Sequence, residues 1–321
     1  MKSAIILCLT LSMVPASFAQ PGDIGPPPGK LVDVGGRKLH LLCTGAGAPT
    51  VVLEAGASAF AIDWSLVQPE IARTNRVCSY DRAGYGWSDP GGSGDPGVAA
   101  DLHSLLQVNG EHPPYVLVGA SKGGLYVRLY HLQYPDEVAG MVLVDPAYEE
   151  RLFTMFEGKP VTIASLTAEQ LRSTIPQRAV KVPRRPPQTG APFDRLPPAL
   201  YEIRIELERR LIDAVPESVP YDAVVRSAEQ ERVTLAKLRE MSMAQEHPIG
   251  DRPLIVLTRG MDSSQELKDA HARLARISTD SRHMVVANAG HEIHLFEPVA
   301  VIQAIQDVIA AAKNKTRLPA R

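Results

Sequence analysis

Ser121 carries the hydroxyl in this sequence that is best placed to act as a nucleophile. It stands between two glycines, Gly119 and Gly123, in the pattern Gly-Ala-Ser-Lys-Gly. An apolar segment, residues 115–118, precedes the pattern, and a segment of helical periodicity follows it. Paired glycines allow a strand and a helix to approach closely, so that the turn between them exposes the serine side chain. We therefore predict a nucleophilic serine on a strand-to-helix turn.

A serine hydroxyl needs a neighbouring base that accepts its proton, and His291 is our candidate for that base. It follows a predicted strand, residues 283–287, through the short loop Asn288-Ala289-Gly290. His294, on the helix start that follows, is the alternative base. The two histidines resemble half of a zinc site, but they are one residue too close for the metalloprotease spacing, so we predict no metal.

Charge and composition exclude several classes of partner. The chain has 321 residues, an apolar fraction of 45% and a formal net charge of −2. No basic block indicates nucleic-acid binding, and no acidic tail indicates a disordered regulator. The length accommodates one large α/β domain or two ordinary domains.

Residues 1–19 have the three-part pattern of a secretory signal peptide. Lys2 is followed by an apolar run, residues 4–14, and by the small-residue site Ser17-Phe18-Ala19, after which we expect cleavage. The run is short for a bilayer span, so an uncleaved anchor is the less favoured alternative. We expect an exported protein, periplasmic or secreted, without stable membrane insertion after cleavage.

Strands alternate with helices in two parts of the chain, residues 30–146 and 251–321. Such alternation predicts an α/β protein with a mainly parallel, doubly wound sheet. Residues 20–29 form a Pro/Gly-rich lead that we expect to be extended and mobile. Residues 147–250 contain many prolines, two helical stretches and no strand pattern. We interpret this segment, called the cap below, as an insertion above the carboxyl edge of the sheet, where such sheets bind ligands; an independent helical domain is the alternative.

Four motifs resemble those of the α/β-hydrolase superfamily, in its branch of cofactor-free serine hydrolases. They stand in the family's order and span the chain apart from the lead and the cap. The motifs are Tyr80-Asp81-Arg82-Ala83-Gly84-Tyr85-Gly86-Trp87-Ser88, Gly119-Ala120-Ser121-Lys122-Gly123, Val142-Leu143-Val144-Asp145-Pro146, and Gly290-His291 with Phe296-Glu297-Pro298. The resemblance implies a mostly parallel eight-stranded sheet with helices on both faces and an inserted helical cap. It also implies Ser121 as nucleophile, His291 as general base, and no cofactor.

The resemblance leaves two positions open for the acid that orients His291. The family usually carries this acid after the strand that precedes the last helix–strand unit. Asp262 lies in that loop, although one residue rather than two separates it from Gly260. The alternative is Asp145, at the end of the strand after the nucleophile's helix, and we place Asp262 slightly ahead of it. Either carboxylate would accept a hydrogen bond from His291 and stabilise the imidazolium.

The resemblance also implies an oxyanion hole and a disulfide. Two main-chain amides would form the hole, those of Lys122 and of Ala57, while the Lys122 side chain should be solvated or ion-paired. Without the signal peptide the chain keeps two cysteines, Cys43 and Cys78. An oxidising compartment permits them to bond, and the fold would place their strands side by side; two isolated thiols are the alternative.

The function predicted from these residues is hydrolysis of a small-molecule carboxylic ester through an acyl-enzyme on Ser121. Hydrolysis of an amide, a lactone or a carbon–carbon bond in the same site is an alternative. A second alternative is a non-catalytic protein that binds a small molecule or a partner in the pocket. A cofactor-dependent Rossmann enzyme is excluded, because no Gly-x-Gly-x-x-Gly fingerprint follows the early strands.

Overall fold

The computed structural model describes residues 24–91, 94–150 and 153–319 of the chain. The predicted signal peptide, residues 1–19, lies outside the described residues. Within these three ranges, no helix combines the length and the apolar character needed to cross a membrane.

The described residues form strands and helices in alternation. In chain order the strands are β1 (Lys30–Asp33), β2 (Lys38–Thr44), β3 (Thr50–Glu54), β4 (Val77–Tyr80), β5 (Tyr115–Ala120), β6 (Val138–Val144), β7 (Phe153–Phe156), β8 (Lys159–Thr162), β9 (Val180–Lys181), β10 (Ser218–Val219), β11 (Leu254–Arg259) and β12 (Ser281–Val286). The helices are α1 (Gln68–Ile71), α2 (Val98–Val108), α3 (Gly123–Gln133), α4 (Ala168–Thr174), α5 (Pro198–Ala214), α6 (Tyr221–Ala244), α7 (Gln265–Ala275), α8 (Ile293–Phe296) and α9 (Pro298–Asn314).

The central sheet has eight strands in the order β1-β2-β4-β3-β5-β6-β11-β12. β2 pairs antiparallel with both β1 and β4, and the other neighbours in the sheet run parallel. The predicted fold class, an α/β-hydrolase fold with a mostly parallel eight-stranded sheet, is confirmed. The carboxyl ends of β5, β6, β11 and β12 therefore meet at one edge of the sheet.

Both faces of the sheet are covered, so its central strands bury successive side chains on opposite sides. Leu117 and Leu143 belong to an apolar core that also contains residues of α2, α3 and α7. Their neighbours Val118 and Val144 belong to a second core shared with α1 and α9. Coverage on both faces explains why β5 and β6 read as unbroken apolar runs rather than as alternating patterns.

The cap joins β6 to β11 and contains strands that the sequence did not predict. Its two long helices, α5 and α6, match the two helical stretches. The expectation of a segment without strands is wrong, because β7 pairs with β8 and β9 pairs with β10. Glu157 and Gly158, both with positive φ, form the turn between β7 and β8, and such turns match the twist of a hairpin.

The described part of the lead, residues 24–29, is hydrogen-bonded to side chains of the folded core. The indole nitrogen of Trp87 donates a hydrogen bond to the Gly25 carbonyl at 3.4 Å. Nε2 of the buried His40 donates to the Pro28 carbonyl at 2.5 Å. These contacts anchor the chain before it enters β1.

Candidate active site

Ser121 occupies the turn between β5 and α3 in a left-handed backbone conformation, with φ of +50°. Its amide donates a hydrogen bond to the Val144 carbonyl of β6 at 2.9 Å, which fixes the turn to the sheet. A Cβ on Gly119 would lie 2.5 Å from the Gly123 carbonyl oxygen, and one on Gly123 would lie 2.5 Å from that of Glu54. The close approach of strand and helix thus requires both glycines.

His291 lies in the loop after β12, at the same edge of the sheet as Ser121. Its Nε2 is 2.8 Å from Ser121 Oγ, and its Nδ1 is 2.5 Å from Asp145 Oδ2. An ionised carboxylate only accepts hydrogen bonds, so Asp145 fixes the proton of the neutral ring on Nδ1. Nε2 then directs its lone pair at the serine hydroxyl. This geometry allows His291 to remove the hydroxyl proton as Ser121 attacks.

The acid that contacts His291 is Asp145, and this corrects the preference for Asp262. Asp262 is exposed in the loop after β11, and no hydrogen bond of the described residues joins it to His291. β6 and β11 are parallel neighbours, so the loops that follow them leave the same edge of the sheet. Of the two carboxylates, only that of Asp145 is hydrogen-bonded to the imidazole among the described residues.

Arg259, the last residue of β11, holds the Asp145 carboxylate from another side. Its amide donates to Oδ1 at 3.1 Å, and its Nη1 donates to Oδ2 at 2.5 Å. Burial raises the pKa of Asp145, but the hydrogen bond and charge of His291, together with the amide and charge of Arg259, outweigh burial and lower it. Asp145 is therefore ionised at neutral pH.

The loop after β3, Ala55-Gly56-Ala57, lies directly beside Ser121. A Cβ on Gly56 would be 3.2 Å from Ser121 Cβ, and Ala57 lines the same pocket as Ser121. Arg82 donates to the carbonyls of Ala55 and Gly56, at 2.7 and 2.6 Å, and forms an ion pair with Glu54 at 2.5 Å. Arg82 thus fixes the loop that carries the predicted oxyanion donor Ala57.

Lys122 follows Ser121, and its side chain is ion-paired, one of the two states expected. Its Nζ is 3.2 Å from Oε1 of Glu231, and both side chains are buried. Because Glu231 belongs to α6, this ion pair connects the cap to the first turn of α3. The main-chain amide of Lys122 lies at the start of α3, where the second oxyanion donor is predicted.

A pocket with about 410 Å³ of open space, including its mouth, adjoins Ser121 and His291. The cap contributes Phe193 and Arg204 to its walls. His294, the alternative base, also lines the pocket, where its ring lies 4.7 Å from that of Trp64. No described hydrogen bond joins His294 to Ser121, so of the two candidate bases only His291 is hydrogen-bonded to the Ser121 hydroxyl in the described part of the chain.

Sequence reasoning missed the polar wall of this pocket, which we define as Asp63, Arg204 and His294. Arg204 of α5 donates through Nε to Asp63 Oδ1 at 3.1 Å, across 141 residues of sequence. Burial raises the pKa of Asp63 to about 6, although the charge of Arg204 opposes the rise. A signal was present in α5, where Arg204 and Glu208 share the buried face of the helix with apolar residues.

Cys43 and Cys78 form a disulfide between β2 and β4, as the resemblance implied. Together with Glu111 they make a group whose atoms have the spacing of metal ligands. Bonded sulfur atoms are not thiolates, however, and the thiolate is the form that binds a metal. The disulfide therefore accounts for this cluster, which lies outside the pocket.

Comparisons with known proteins agree with this architecture. A family model described as the alpha/beta hydrolase fold matches residues 41–298. The uncharacterized protein YqjL of Bacillus subtilis (strain 168) is 26% identical over 278 residues, which cover 84% of this chain and 86% of YqjL.

Solved structures resemble the chain over most of its length. A thermophilic esterase from Thermogutta terrifontis aligns with a TM-score of 0.57 and 21% identity, over 86% of this chain and 94% of the esterase. A meta-cleavage product hydrolase from Pseudomonas fluorescens IP01 aligns with a TM-score of 0.58 and 17% identity, over 88% of this chain and 98% of that hydrolase. At such identities the likeness shows a shared fold.

Proposed function

The chain belongs to the α/β-hydrolase family, and we propose that it is a serine hydrolase that cleaves small carboxylic esters. One observation carries the proposal: Asp145, His291 and Ser121 are joined in series by hydrogen bonds of 2.5 and 2.8 Å. Family membership supports hydrolysis in general. The hydrogen-bonded series supports Ser121 as the attacking group.

In the first half of the proposed reaction, Ser121 Oγ attacks the carbonyl carbon of the ester while His291 Nε2 accepts the hydroxyl proton. Asp145 stabilises the imidazolium that forms and keeps the ring in position. The negative charge on the former carbonyl oxygen would be bound by the amides of Ala57 and Lys122. Each such donor commonly accelerates the reaction by about 10²–10³.

In the second half, the imidazolium of His291 gives its proton to the leaving alcohol, and the acyl group remains bonded to Ser121. A water molecule then loses a proton to Nε2 and attacks the acyl carbon. Collapse of the second tetrahedral intermediate returns the proton to Ser121 Oγ and releases the carboxylic acid. The enzyme ends in its starting state, and the net reaction adds one water to the ester.

Of the hydrolytic reactions considered, ester cleavage requires the least catalytic assistance from the residues present. An alkoxide protonated by His291 is a far better leaving group than a carbanion, and no group beyond Ser121, the acid, the base and the two amides is required. The structural likeness to an esterase and to a meta-cleavage product hydrolase supports both ester and carbon–carbon bond hydrolysis. A series of p-nitrophenyl esters of increasing acyl length, assayed on purified protein, tests the ester proposal.

Covalent labelling tests the nucleophile. We expect a fluorophosphonate probe to modify wild-type protein on Ser121, and to leave Ser121→Ala unmodified. The His291→Ala variant should react with the probe at least about 10³-fold more slowly than the wild type, and it should hydrolyse p-nitrophenyl acetate more slowly by the same factor. The Ser121 hydroxyl then lacks its base. Folded wild-type protein without any adduct on Ser121 would instead favour the alternative of a non-catalytic binding protein.

We also propose that the protein is exported, to the periplasm or to the medium. The signal-like pattern of residues 1–19 and the disulfide between Cys43 and Cys78 support this location. Mass spectrometry of the protein recovered from each cell fraction tests the proposal. A mature chain that begins at Gln20 is expected, and full-length protein retained inside the cell would contradict it.

A further inference from the structure

One wall of the pocket beside Ser121 consists of buried polar side chains. Arg204 and Asp63 are each only 1% exposed, and His294 is 6% exposed. Apolar side chains in the lining are small or few, with alanines next to the nucleophile and Phe193 from the cap. Long alkyl chains are usually bound by large apolar side chains, and Phe193 is the one such side chain among the described residues of this lining.

Arg204 is held firmly, and part of its guanidinium has no hydrogen-bond partner among the residues that the structure describes. Its Nε donates to Asp63, and its Nη1 donates to Glu208 Oε2 at 2.8 Å. The plane of the group lies over the ring of Phe193, 3.5 Å from the ring centre. Among the hydrogen bonds of the described residues, none uses Nη2. Arg204 therefore offers a rigid donor in the wall of the pocket.

His294 supplies a second uncommitted polar group in the same wall. Its Nδ1 is buried and has no hydrogen-bond partner among the described residues. Burial, helped by the charges of His291 and Arg204, lowers the pKa of His294 to about 3. The ring is therefore neutral and carries one donor and one acceptor nitrogen. An unpaired buried polar atom is costly, so a polar group bound here would be favoured.

The charges around Arg204 indicate what kind of group that is. Asp63 and Glu208 carry two negative charges against the positive charges of Arg204 and of Arg185, which pairs with Glu208 at 2.5 Å. Glu292, another acidic residue, also lines the pocket. A substrate carboxylate would add a negative charge where the positive charges are already balanced. A neutral group that hydrogen-bonds adds none.

We propose that the pocket selects short acyl groups that carry a neutral hydrogen-bonding substituent, such as a hydroxyl, which Arg204 and His294 bind. The inference rests on the proposed ester hydrolysis and specifies its substrate class. During the reaction the acyl group is bonded to Ser121, so it must occupy the space next to that residue. The polar wall would then orient the acyl group and discriminate against an apolar group of the same shape.

Three methyl esters test this selectivity in a pH-stat assay of the wild-type enzyme. Methyl 3-hydroxybutanoate and methyl 3-methylbutanoate differ by a hydroxyl in place of a methyl group, and monomethyl succinate carries a carboxylate. We expect kcat/KM for the hydroxy ester to exceed that for each of the other two by at least about tenfold. Equal or higher values for either of the others, or no turnover of any of the three, would overturn the proposal.

Variants locate the selectivity in the polar wall. His294→Phe keeps an aromatic ring beside Trp64, and Arg204→Lys keeps a positive charge between the two carboxylates. In each we expect the hydroxy-to-methyl ratio to fall towards one. The matched control is His131→Phe, because His131 is also buried with an unpartnered Nδ1 but does not line the pocket. Its ratio should equal the wild-type ratio, and an equal fall in all three variants would contradict a role for the polar wall.

Labelling by a fluorophosphonate separates this inference from the proposed function. Protein that labels on Ser121 but shows no preference for the hydroxy ester remains a serine hydrolase and refutes the substrate class. Protein that neither labels nor hydrolyses any ester refutes both. Labelling also reports whether each variant is folded around Ser121, and Arg204→Lys provides the decisive ratio if His294→Phe does not fold.

Discussion

The Asp145 carboxylate receives three donors, of which two come from Arg259 and one from His291. Such a carboxylate is held in one orientation, and the imidazole that it contacts is held with it. Arg259 occupies the end of the strand after which the family usually carries its acid. Arg259 at the end of β11 thus supports the acid that follows the neighbouring strand β6, and the loop after β11 does not supply the acid itself.

Replacement of Asp145 by Asn should reduce kcat by about 10³–10⁴-fold. The side-chain amide introduced at position 145 can donate a hydrogen bond to Nδ1 of His291. This favours the tautomer whose proton is on Nε2, and that nitrogen then cannot accept the proton of Ser121. Asp262→Asn is the matched control and should retain nearly wild-type kcat, because Asp262 is exposed and not bonded to His291. Steady-state rates with p-nitrophenyl acetate measure both. Equal, mild losses in the two variants would mean that neither residue is the orienting acid.

His294 should make the protein less stable in mild acid. Its pKa is lowered to about 3 by burial, whereas the unfolded chain has the ordinary value of about 6.5. Between these values the unfolded state binds more protons, so stability is lost as pH falls below about 6.5. From pH 7.5 to 5.0 the wild type should lose about 2 kcal/mol more unfolding free energy than His294→Phe. Urea unfolding at both pH values measures the difference, and parallel losses would show that His294 titrates normally in the fold.

At the scale of elements, the strand–turn–helix around Ser121 depends on the absence of side chains at two positions. Gly119→Ala would force its Cβ against the Gly123 carbonyl, so it should destabilise the fold by about 1–3 kcal/mol and displace Ser121. We expect kcat to fall at least about tenfold, because small displacements of a nucleophile are costly.

Gly110→Ala provides the control for this prediction. Gly110 follows α2 with φ of +77°, and a Cβ there would meet nothing within 4 Å. Gly110→Ala should lower the free energy of unfolding by about 1–2 kcal/mol through backbone strain alone, and kcat should not fall. Thermal unfolding and steady-state kinetics on both variants separate the two effects. A Gly119→Ala enzyme with wild-type kcat would show that the turn tolerates a wider spacing between β5 and α3.

The sequence predicted the elements of the central sheet well because their patterns are local. Buried parallel strands are visible in the sequence as apolar runs, and amphipathic helices are visible by their helical periodicity. The predicted ends of these elements differ from the observed ends by a few residues. The hairpin of β7 and β8 was overlooked in the Pro-rich cap, although the turn Glu157-Gly158 was a usable signal. Short, half-exposed strands carry too little apolar character to stand out from loops.

The residues of the candidate active site were predictable to the extent that each lies in a local motif. Ser121 and His291 are marked by their own surroundings, and the structure brings them together. The acid was ambiguous because Asp145 and Asp262 follow adjacent parallel strands and lie at the same edge of the sheet. The contact between Asp63 and Arg204 joins distant segments and depends on how the cap docks. No spacing in the sequence encodes that docking.

At the scale of the whole molecule, the pocket exists only where the cap meets the sheet. Among the described residues three buried ion pairs connect these parts, Lys122 with Glu231, Asp63 with Arg204 and Arg128 with Glu149. Buried ion pairs gain little net stability but penalise arrangements that leave one charge unpaired. They therefore suit a role in fixing where the cap sits over Ser121, and with it the shape of the space open to a substrate.

The disulfide acts on the stability of the whole chain rather than on the site. Cys43 and Cys78 are 35 residues apart, and a closed loop of that length stabilises a fold by about 3–4 kcal/mol through the unfolded state. Wild-type protein unfolded and refolded in reductant should therefore unfold at a lower guanidinium concentration than oxidised protein. The double variant Cys43→Ser, Cys78→Ser should unfold at the same concentration with and without reductant, because it has no bond to lose. Ester turnover per folded molecule should be the same in the oxidised and reduced forms, since neither cysteine lines the pocket. Identical unfolding midpoints for oxidised and reduced wild type would show that the bond adds no stability.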